Sequence, residues 1–442
     1  MTIGAMIIAA AVSAAVFLAM VPRTVDGRAV SSNQQVPQLL SGPLTAPLQP
    51  GWRVTATTLG LPQDTYLGLP PFATNGNRAY FVTNCAQPCT GATWLYGIDT
   101  HTGRLLFEPV ALPDFPGLAF GHCTGNGPNS ALCLTSRPER RAWVVDLTRG
   151  AVSYTGSTNL SWLTGSEGSP VVRPVGSSRG PSWAVADVRG KGVYGIGPHA
   201  ELTWFVAGDG QYSTRPLGSR EGAPLSVELA STKNPAYRVF SAADGHELTP
   251  TPPKGAALKR AVVYPGGFAY QYEDDDSAGV LFYAADGRLR NRVPMSRYNL
   301  LDNVALPVVL DNNMFRLFQP DGNLIANIPV PNNQPPLFRF AGQTAFLWIA
   351  GVEQRGEHWQ SWNLAIDTKG ATCNAHLSDY LGTDGHTLLT TVNIYSGYTL
   401  IATDISTCQP LWRKDVQYSR ILQVGDGLIA YDGHQIVSLE PQ

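Results

Sequence analysis

Six cysteines fall into three pairs along the chain, Cys85/Cys89, Cys123/Cys133 and Cys373/Cys408. An even count downstream of an apolar leader is the pattern of a disulfide framework formed in an oxidising compartment. A zinc site would want Cys-x-x-Cys spacing or nearby histidines, and only His122 adjoins a cysteine. The densest charge run is Glu273-Asp274-Asp275-Asp276. Its oxygens are of the kind a hard cation such as Ca²⁺ takes, which makes these four residues the calcium candidates. The run lacks EF-hand spacing, however, and it stands between two apolar segments, where a solvated hairpin loop is the plainer reading. The eight histidines are scattered, with no His-x-x-x-His or Glu-x-x-His pair to place two ligands on one helix face. Residues 176–180 spell Gly-x-Ser-x-Gly, but a nucleophile elbow needs a strand before it and a helix after it, and no helical pattern follows. No residue is therefore assigned a catalytic or cofactor-binding role.

The elements that carry these residues are short strands. Residues 94–107, Trp-Leu-Tyr-Gly-Ile-Asp-Thr-His-Thr-Gly-Arg-Leu-Leu-Phe, read as strand, tight turn and strand. Asp bonds backbone N–H groups ahead of it, and Gly supplies the positive φ that closes such a turn. Variants recur, with Asp-Gly between apolar runs at 244–245, 286–287 and 321–322 and longer turns at 146–150, 367–370 and 404–408. Turn residues Asp99, Asp146, Pro198, Asp244, Asp286, Asp321, Asp367, Asp404 and Glu440 are spaced 35 to 52 residues apart, one four-stranded blade per interval. The expected fold is all-β: a β-propeller, whose radial closure leaves few free strand edges. Nine turn candidates exceed the usual maximum of eight blades, so eight are expected, with seven as the alternative. The unit at 170–205 is expected to be the irregular one. The last segment, 427–439, holds two strands and no more, so the strand at 51–59, in particular 54–59, is expected to complete that blade.

Upstream, residues 3–21 carry no charge. As a helix they would span roughly 28 Å, close to a hydrocarbon core, and they are read as an uncleaved transmembrane signal-anchor rather than the shorter apolar region of a cleaved signal peptide. Residues 1–21 are thus the anchor and 22–50, with five prolines and no period, a disordered tether. Residues 51–442 are the propeller, placed outside the cytoplasm. A net charge of −2 offers no whole-protein attraction to nucleic acid.

The pattern Leu-Tyr-Gly-Ile-Asp-x-x-Thr-Gly-x-x-x-Phe at 95–107 resembles the repeat of pyrroloquinoline-quinone-like, or quinoprotein-type, propellers, and 401–412 resembles it with Cys408 in the Gly position. The resemblance implies the fold over about 51–442. Quinone enzymes of that family clamp the cofactor between a Trp and a ring of adjacent cysteines, beside a calcium ion. This chain has no adjacent cysteines. Trp94, Trp143, Trp183, Trp204, Trp362 and Trp412 stand at blade-like positions and are read as packing between blades. The expectation is a membrane-tethered binding or scaffold module of a bacterial cell envelope, without catalysis or cofactor. Its partners would be other envelope or membrane proteins, in the manner of the propeller subunit of the outer-membrane β-barrel assembly machinery. The alternative is an enzyme, a quinone-dependent dehydrogenase or a calcium-dependent hydrolase. Loops at 156–169, 208–223 and 249–256 are the candidate contact surfaces.

Overall fold

The structure, a computed structural model, describes residues 39–67, 70–84, 92–115, 121–136, 139–162, 168–176, 181–210, 212–213, 225–229, 237–252, 254–295, 298–301, 305–330, 337–349, 357–394 and 397–442. Continuous apolar runs in the middle strands, such as Ser130–Thr135 and Ala278–Ala284, make both faces of a sheet apolar, and the result is a ring of antiparallel sheets. Eight sheets have four strands and a ninth has three, nine in all among the described residues. Named in chain order they are blade 1 (73–112), blade 2 (121–157), blade 3 (171–207), blade 4 (212–248), blade 5 (257–294), blade 6 (298–329), blade 7 (338–373), blade 8 (380–416) and blade 9 (420–440 with 49–55). The eight four-stranded blades expected from the sequence are present. What the count of turns had put down to irregularity is a further sheet: eight of the nine candidates lie in turns of separate blades, and the ninth, Glu440, ends the third strand of blade 9.

The unit at 170–205 is a regular blade, with strands Val171–Gly176, Ser182–Val188, Gly192–Ile196 and Leu202–Ala207, which corrects the expectation of irregularity there. The reduced blade is the next one. Its fourth strand shrinks to one bridge, Phe240 to Glu247, flanked by the bonds Ser241 N–H to His246 O (3.0 Å) and Leu248 N–H to Val239 O (2.7 Å). Pro250 and Pro252 follow, and a residue without an N–H cannot extend the ladder.

The core is divided among nine clusters, one at each junction between neighbouring blades, and the junctions close into a ring. The period-2 geometry of a strand explains the division. In strand Arg78–Asn84, Ala79 and Phe81 face blade 9 while Tyr80 and Val82 face blade 2.

A second contact repeats around the ring. The five-residue turn before the fourth strand ends in a left-handed residue, closed by Gly103 N–H to Asp99 O (2.8 Å), Gly150 to Asp146 (2.9 Å), Gly245 to Ser241 (2.8 Å) and Cys408 to Asp404 (2.8 Å). That residue lies against the preceding blade. A Cβ on Gly103 would stand 2.7 Å from the Trp52 ring, one on Gly245 2.6 Å from Trp204, and one on Gly150 would run into Phe107. Glycine is thus required twice over, by its φ and by the ring. The turn of blade 7 departs from the expected register at 367–370. Asn363 is its capping residue, accepting Ala365 N–H at 2.9 Å, and Asp367 takes the left-handed place at φ 50°. Asn and Asp both tolerate these roles, while Gly370 falls within strand Thr368–Cys373.

Strand Gln49–Thr55 pairs antiparallel with Gln435–Glu440, Val54 opposite Ile436. The strand stops four residues short of the expected 59, because Thr57–Leu59 turn as a 3-10 helix ended by Gly60 at φ 71°. The expectation of a disordered tether through residue 50 is also corrected for its described part. Leu40, Leu44 and Leu48 are buried between blades 8 and 9. Leu40 N–H bonds Thr383 O (2.7 Å), Leu44 N–H bonds the Asp384 carboxylate (2.7 Å), and Trp412 Nε1–H bonds Leu44 O (2.8 Å). Residues 22–38 lie outside the described residues.

Two stability outcomes follow. A chain beginning at residue 49 should unfold at lower denaturant than one beginning at residue 39, since each buried leucine contributes about 1.5–3 kcal/mol. Leu44→Ala in the full chain should cost about 2–5 kcal/mol. Equal midpoints would deny the strap its role. Separately, Gly150→Ala should lose about 1–3 kcal/mol more than Gly190→Ala, because overpacking is added to the shared backbone strain. The two glycines have φ 64° and 73°, but nothing lies within 4 Å of the Cβ position at Gly190. Chemical denaturation of the pair checks it.

Candidate functional site

The described cysteines form two bridges. Cys123 and Cys133 are cross-strand partners within blade 2, with Cα atoms 4.0 Å apart. Cys373, at the end of the fourth strand of blade 7, is bonded to Cys408 in the turn of blade 8, with Cα atoms 4.9 Å apart. Cys408 has φ 60°, so it occupies the place glycine holds in sister turns, and the disulfide makes the cross-blade contact that an aromatic ring makes elsewhere. Each closed loop contributes roughly 3–4 kcal/mol by the chain-entropy argument. Cys85 and Cys89 lie outside the described residues.

The acidic loop joins the second and third strands of blade 5. Asp274 turns inward: its carboxylate accepts Asp276 N–H (3.0 Å), Ser277 N–H and Ser277 Oγ–H (2.7 Å), with Arg292 3.7 Å away. Lys259 stands 3.5 Å from Glu273. Hydrogen bonds within the loop and cations of the chain thus already hold two of the four carboxylates, and no group of three or more metal-ligating side chains occurs among the described residues.

The histidines do not converge. His246, His386 and His434 each donate a backbone N–H to the Asp two residues before. His122 packs edge-on against Trp162, and His199 against Tyr154. Of the Gly-x-Ser-x-Gly run, residues 177–180 lie outside the described residues. The six tryptophans singled out in the sequence all pack against junction clusters, and Trp143, wholly buried, donates to Pro113 O at 3.1 Å.

One group comes closest to a catalytic arrangement. Glu357 of blade 7 accepts Ser378 N–H and Trp359 Nε1–H, each at 3.0 Å, and Ser378 Oγ–H. Burial pushes this carboxyl up, but the bonds from Ser378 and Trp359 outweigh it and hold it below the usual range. A carboxylate so held binds its proton weakly, and the Ser378 hydroxyl is committed to Glu357 instead of a histidine. The group ties the 3-10 turn Leu377–Asp379 to the neighbouring blade.

The alternating exposure of fourth strands such as Ala151–Ser157 marks the outer edge of each sheet, so the first strands line the inside of the ring. The first strands are Ala73–Asn75, Gly121–Gly125, Val171–Gly176, Tyr212–Ser213, Ala257–Tyr264, Tyr298–Leu301, Phe338–Ala341, Tyr380–Thr383 and Arg420–Val424. They contain no Asp or Glu, one histidine (His122), and five cations: Arg173, Lys259, Arg260, Arg339 and Arg420. Arg173 meets Asp187 at 3.3 Å, Arg260 bonds Asn299 at 3.3 Å, and Arg339, partly buried, donates to Leu377 O at 3.1 Å. Arg420, Arg339, Arg173 and Lys259 fall within the first three residues of their strands, at the end of the ring opposite the Asp turns. The sequence reading had not grouped these cations, although the first strand after each long connection could have been compared across repeats.

A family model described as a conjugation-associated 9-bladed beta-propeller domain matches residues 27–442. The chain belongs to that nine-bladed propeller family. It is 31% identical over 435 residues to an uncharacterized protein of Mycolicibacterium smegmatis, covering 91% of this chain and 86% of that one. Among solved structures, BamB from Moraxella catarrhalis is similar at 11% identity and TM-score 0.39, over 89% of this chain and all of that one. The C-terminal WD40 domain of Sif2 is similar at 8% identity and TM-score 0.36, over 85% of this chain and 98% of its own. These two likenesses are of architecture alone.

Glu357 apart, the perturbed carboxylates among the described residues of this nine-bladed propeller belong to its hairpin turns. A hydrogen bond from the Ser406 hydroxyl and the N–H of Thr407 lower the pKa of Asp404, and the Thr148 hydroxyl does the same for Asp146. Their folded values lie below the ~3.9 of an unfolded Asp. The stabilisation is therefore complete above about pH 4 and is lost as pH falls through the folded pKa. Asp404→Asn keeps an amide oxygen for the turn and removes the titration. It should flatten stability between about pH 4 and 2 by no more than about 1 kcal/mol, given solvent screening. An unchanged acid limb in urea melts would refute the assignment.

Proposed function

We propose that this propeller is a non-catalytic scaffold of a conjugation apparatus in a bacterial cell envelope, held to the membrane by residues 3–21 and folded on the extracytoplasmic side. The observation that carries the reading is the inner edge of the ring. Hydrolytic and metal-dependent propeller chemistry needs convergent carboxylates or histidines, and the described first strands present cations instead. The family's description supports the association with conjugation. Two disulfides among the described residues support an oxidising compartment. Residues 3–21 lie outside the described residues; among those that are described, no helix is long and apolar enough to cross a membrane.

The geometry also favours one face for partners. Asp turns with fixed hydrogen bonds rim one end of the ring. At the other end open the cationic strand starts, and functional contacts concentrate on loops held by a rigid frame. A partner surface meeting Arg420 would be acidic, whereas Lys259 already stands beside Glu273.

A photo-crosslinking residue at 420 or 259 should capture other envelope proteins in intact cells, while one at Asp286, in the exposed Asp turn of blade 5, should capture fewer. Deleting the gene should lower plasmid transfer without slowing growth. Stoichiometric binding of pyrroloquinoline quinone with turnover of an alcohol or sugar would sink the scaffold reading, whatever the crosslinks showed.

A further inference from the structure

Blade 9 has no turn before its fourth strand, because its third strand ends at Glu440 and its fourth, Gln49–Thr55, comes from the other end of the chain. The strap at 39–48 covers part of the place that a turn fills in the other blades. What it leaves is a cavity of about 440 Å³ over the end of blade 9, between the strap and residues Thr100 and His101 of blade 1, on the Asp-turn face. Ligand pockets run from ~300 to 1,000 Å³, and this one lies near the lower end of that range, with ample room for one long side chain.

Its chemistry is two-part. Leu44, Leu48, Leu428 and Leu439 give apolar walls, and Asp426 and Glu440 bring carboxylates; no Lys or Arg lines it. One Asp426 oxygen meets His101 Nε2 at 2.6 Å, and Glu440 Oε1 accepts Ser438 Oγ–H at 2.6 Å. Each carboxylate spends one oxygen on those bonds, which leaves the second for a ligand. Lys and Arg have the matching form, an aliphatic stem with a cationic head. Arg also presents a planar fork suited to carboxylates.

We propose that this cavity receives an arginine or lysine side chain of a partner polypeptide, its stem against the leucines and its head between Asp426 and Glu440. The contact lies on the face opposite the cationic strand starts and is independent of what docks there.

Trp52 reports on the site, since its Nε1–H donates to Thr100 O at 3.0 Å and Thr100 lines the cavity. The full chain carrying 5-fluorotryptophan, with the Trp52 signal assigned by Trp52→Phe, would be titrated with N-acetyl-arginine amide and, at equal ionic strength, with neutral N-acetyl-norleucine amide. The expected result is a saturable shift with the arginine amide, with Kd on the order of millimolar. Binding of the norleucine amide should be about tenfold weaker, the difference a charge-assisted pair makes. Glu440→Gln and Asp426→Asn, checked for unchanged melting, should each weaken the arginine amide and leave the norleucine amide unaffected. Equal shifts with both amides, a shift that survives in the double variant, or no saturable shift would each overturn the proposal. None of those results bears on crosslinks from positions 420 and 259, so the scaffold reading stands or falls separately.

Discussion

The contact on which the ring depends joins the outer part of one blade to the turn of the next. A four-stranded sheet with two apolar faces cannot bury either alone, so each blade is stable only between neighbours. The junction clusters supply most of the burial, but nonpolar packing is tolerant of rotation. The outer contact is not. Trp52 against Gly103, Phe107 against Gly150 and Trp204 against Gly245 each bring a ring onto a backbone that a methyl group would push away. Where the aromatic–glycine pair is absent, another device occupies the same place. Asn327 N–H reaches the Asp367 carboxylate at 3.3 Å between blades 6 and 7, and the Cys373–Cys408 bond does so between blades 7 and 8. The chemistry varies while the position stays, as expected if the position sets the angle between blades.

Closure raises a problem that the other junctions do not have. Blade 9 is assembled from both ends of the chain, so no turn exists for blade 8 to pack against. Trp412, in the fourth strand of blade 8, donates to Leu44 O instead, and Asp384 receives Leu44 N–H. The strap thereby substitutes for the missing turn before its chain continues into the closing strand. Burial of Leu40, Leu44 and Leu48 is the energetic cause, since a polar linker would gain nothing by lying there.

These two features differ in how far they could be read from the sequence. The Asp-x-x-x-Gly turns were legible because their chemistry is local: Asp99 and Asp146 bond N–H groups two and three residues ahead. The count of blades was legible in the same signals, and only a prior about propeller size argued against the ninth. The register of blade 7 was misread because Asn363 and Asp367 perform the same backbone work without the familiar letters. The strap was invisible for a different reason. Its three leucines, four residues apart, have the spacing of a helix face, but Pro43 and Pro47 break any helix there, and the leucines' partners lie some 340 residues away. Of the candidate sites, the disulfides were legible from pairing along the chain. The cationic inner edge and the cavity at closure arise from residues gathered from separate blades, which no local spacing encodes.

The division of labour between the two ends of the ring follows from strand direction. First and third strands run the same way, so every turn between third and fourth strands must fall on one face. Those turns carry the contacts that hold the blades together, and their residues are constrained by φ, by Asp hydrogen bonds and by the ring of the preceding blade. Substitution there costs stability, which leaves little freedom to evolve a binding surface. The opposite face has fewer fixed turns, with local ties such as Glu357 to Ser378 and Arg260 to Asn299, and the starts of the inner strands open onto it with their cations. Blade 9 is the exception that locates the cavity. Lacking the turn, it leaves a cavity on the constrained face that the strap covers only in part.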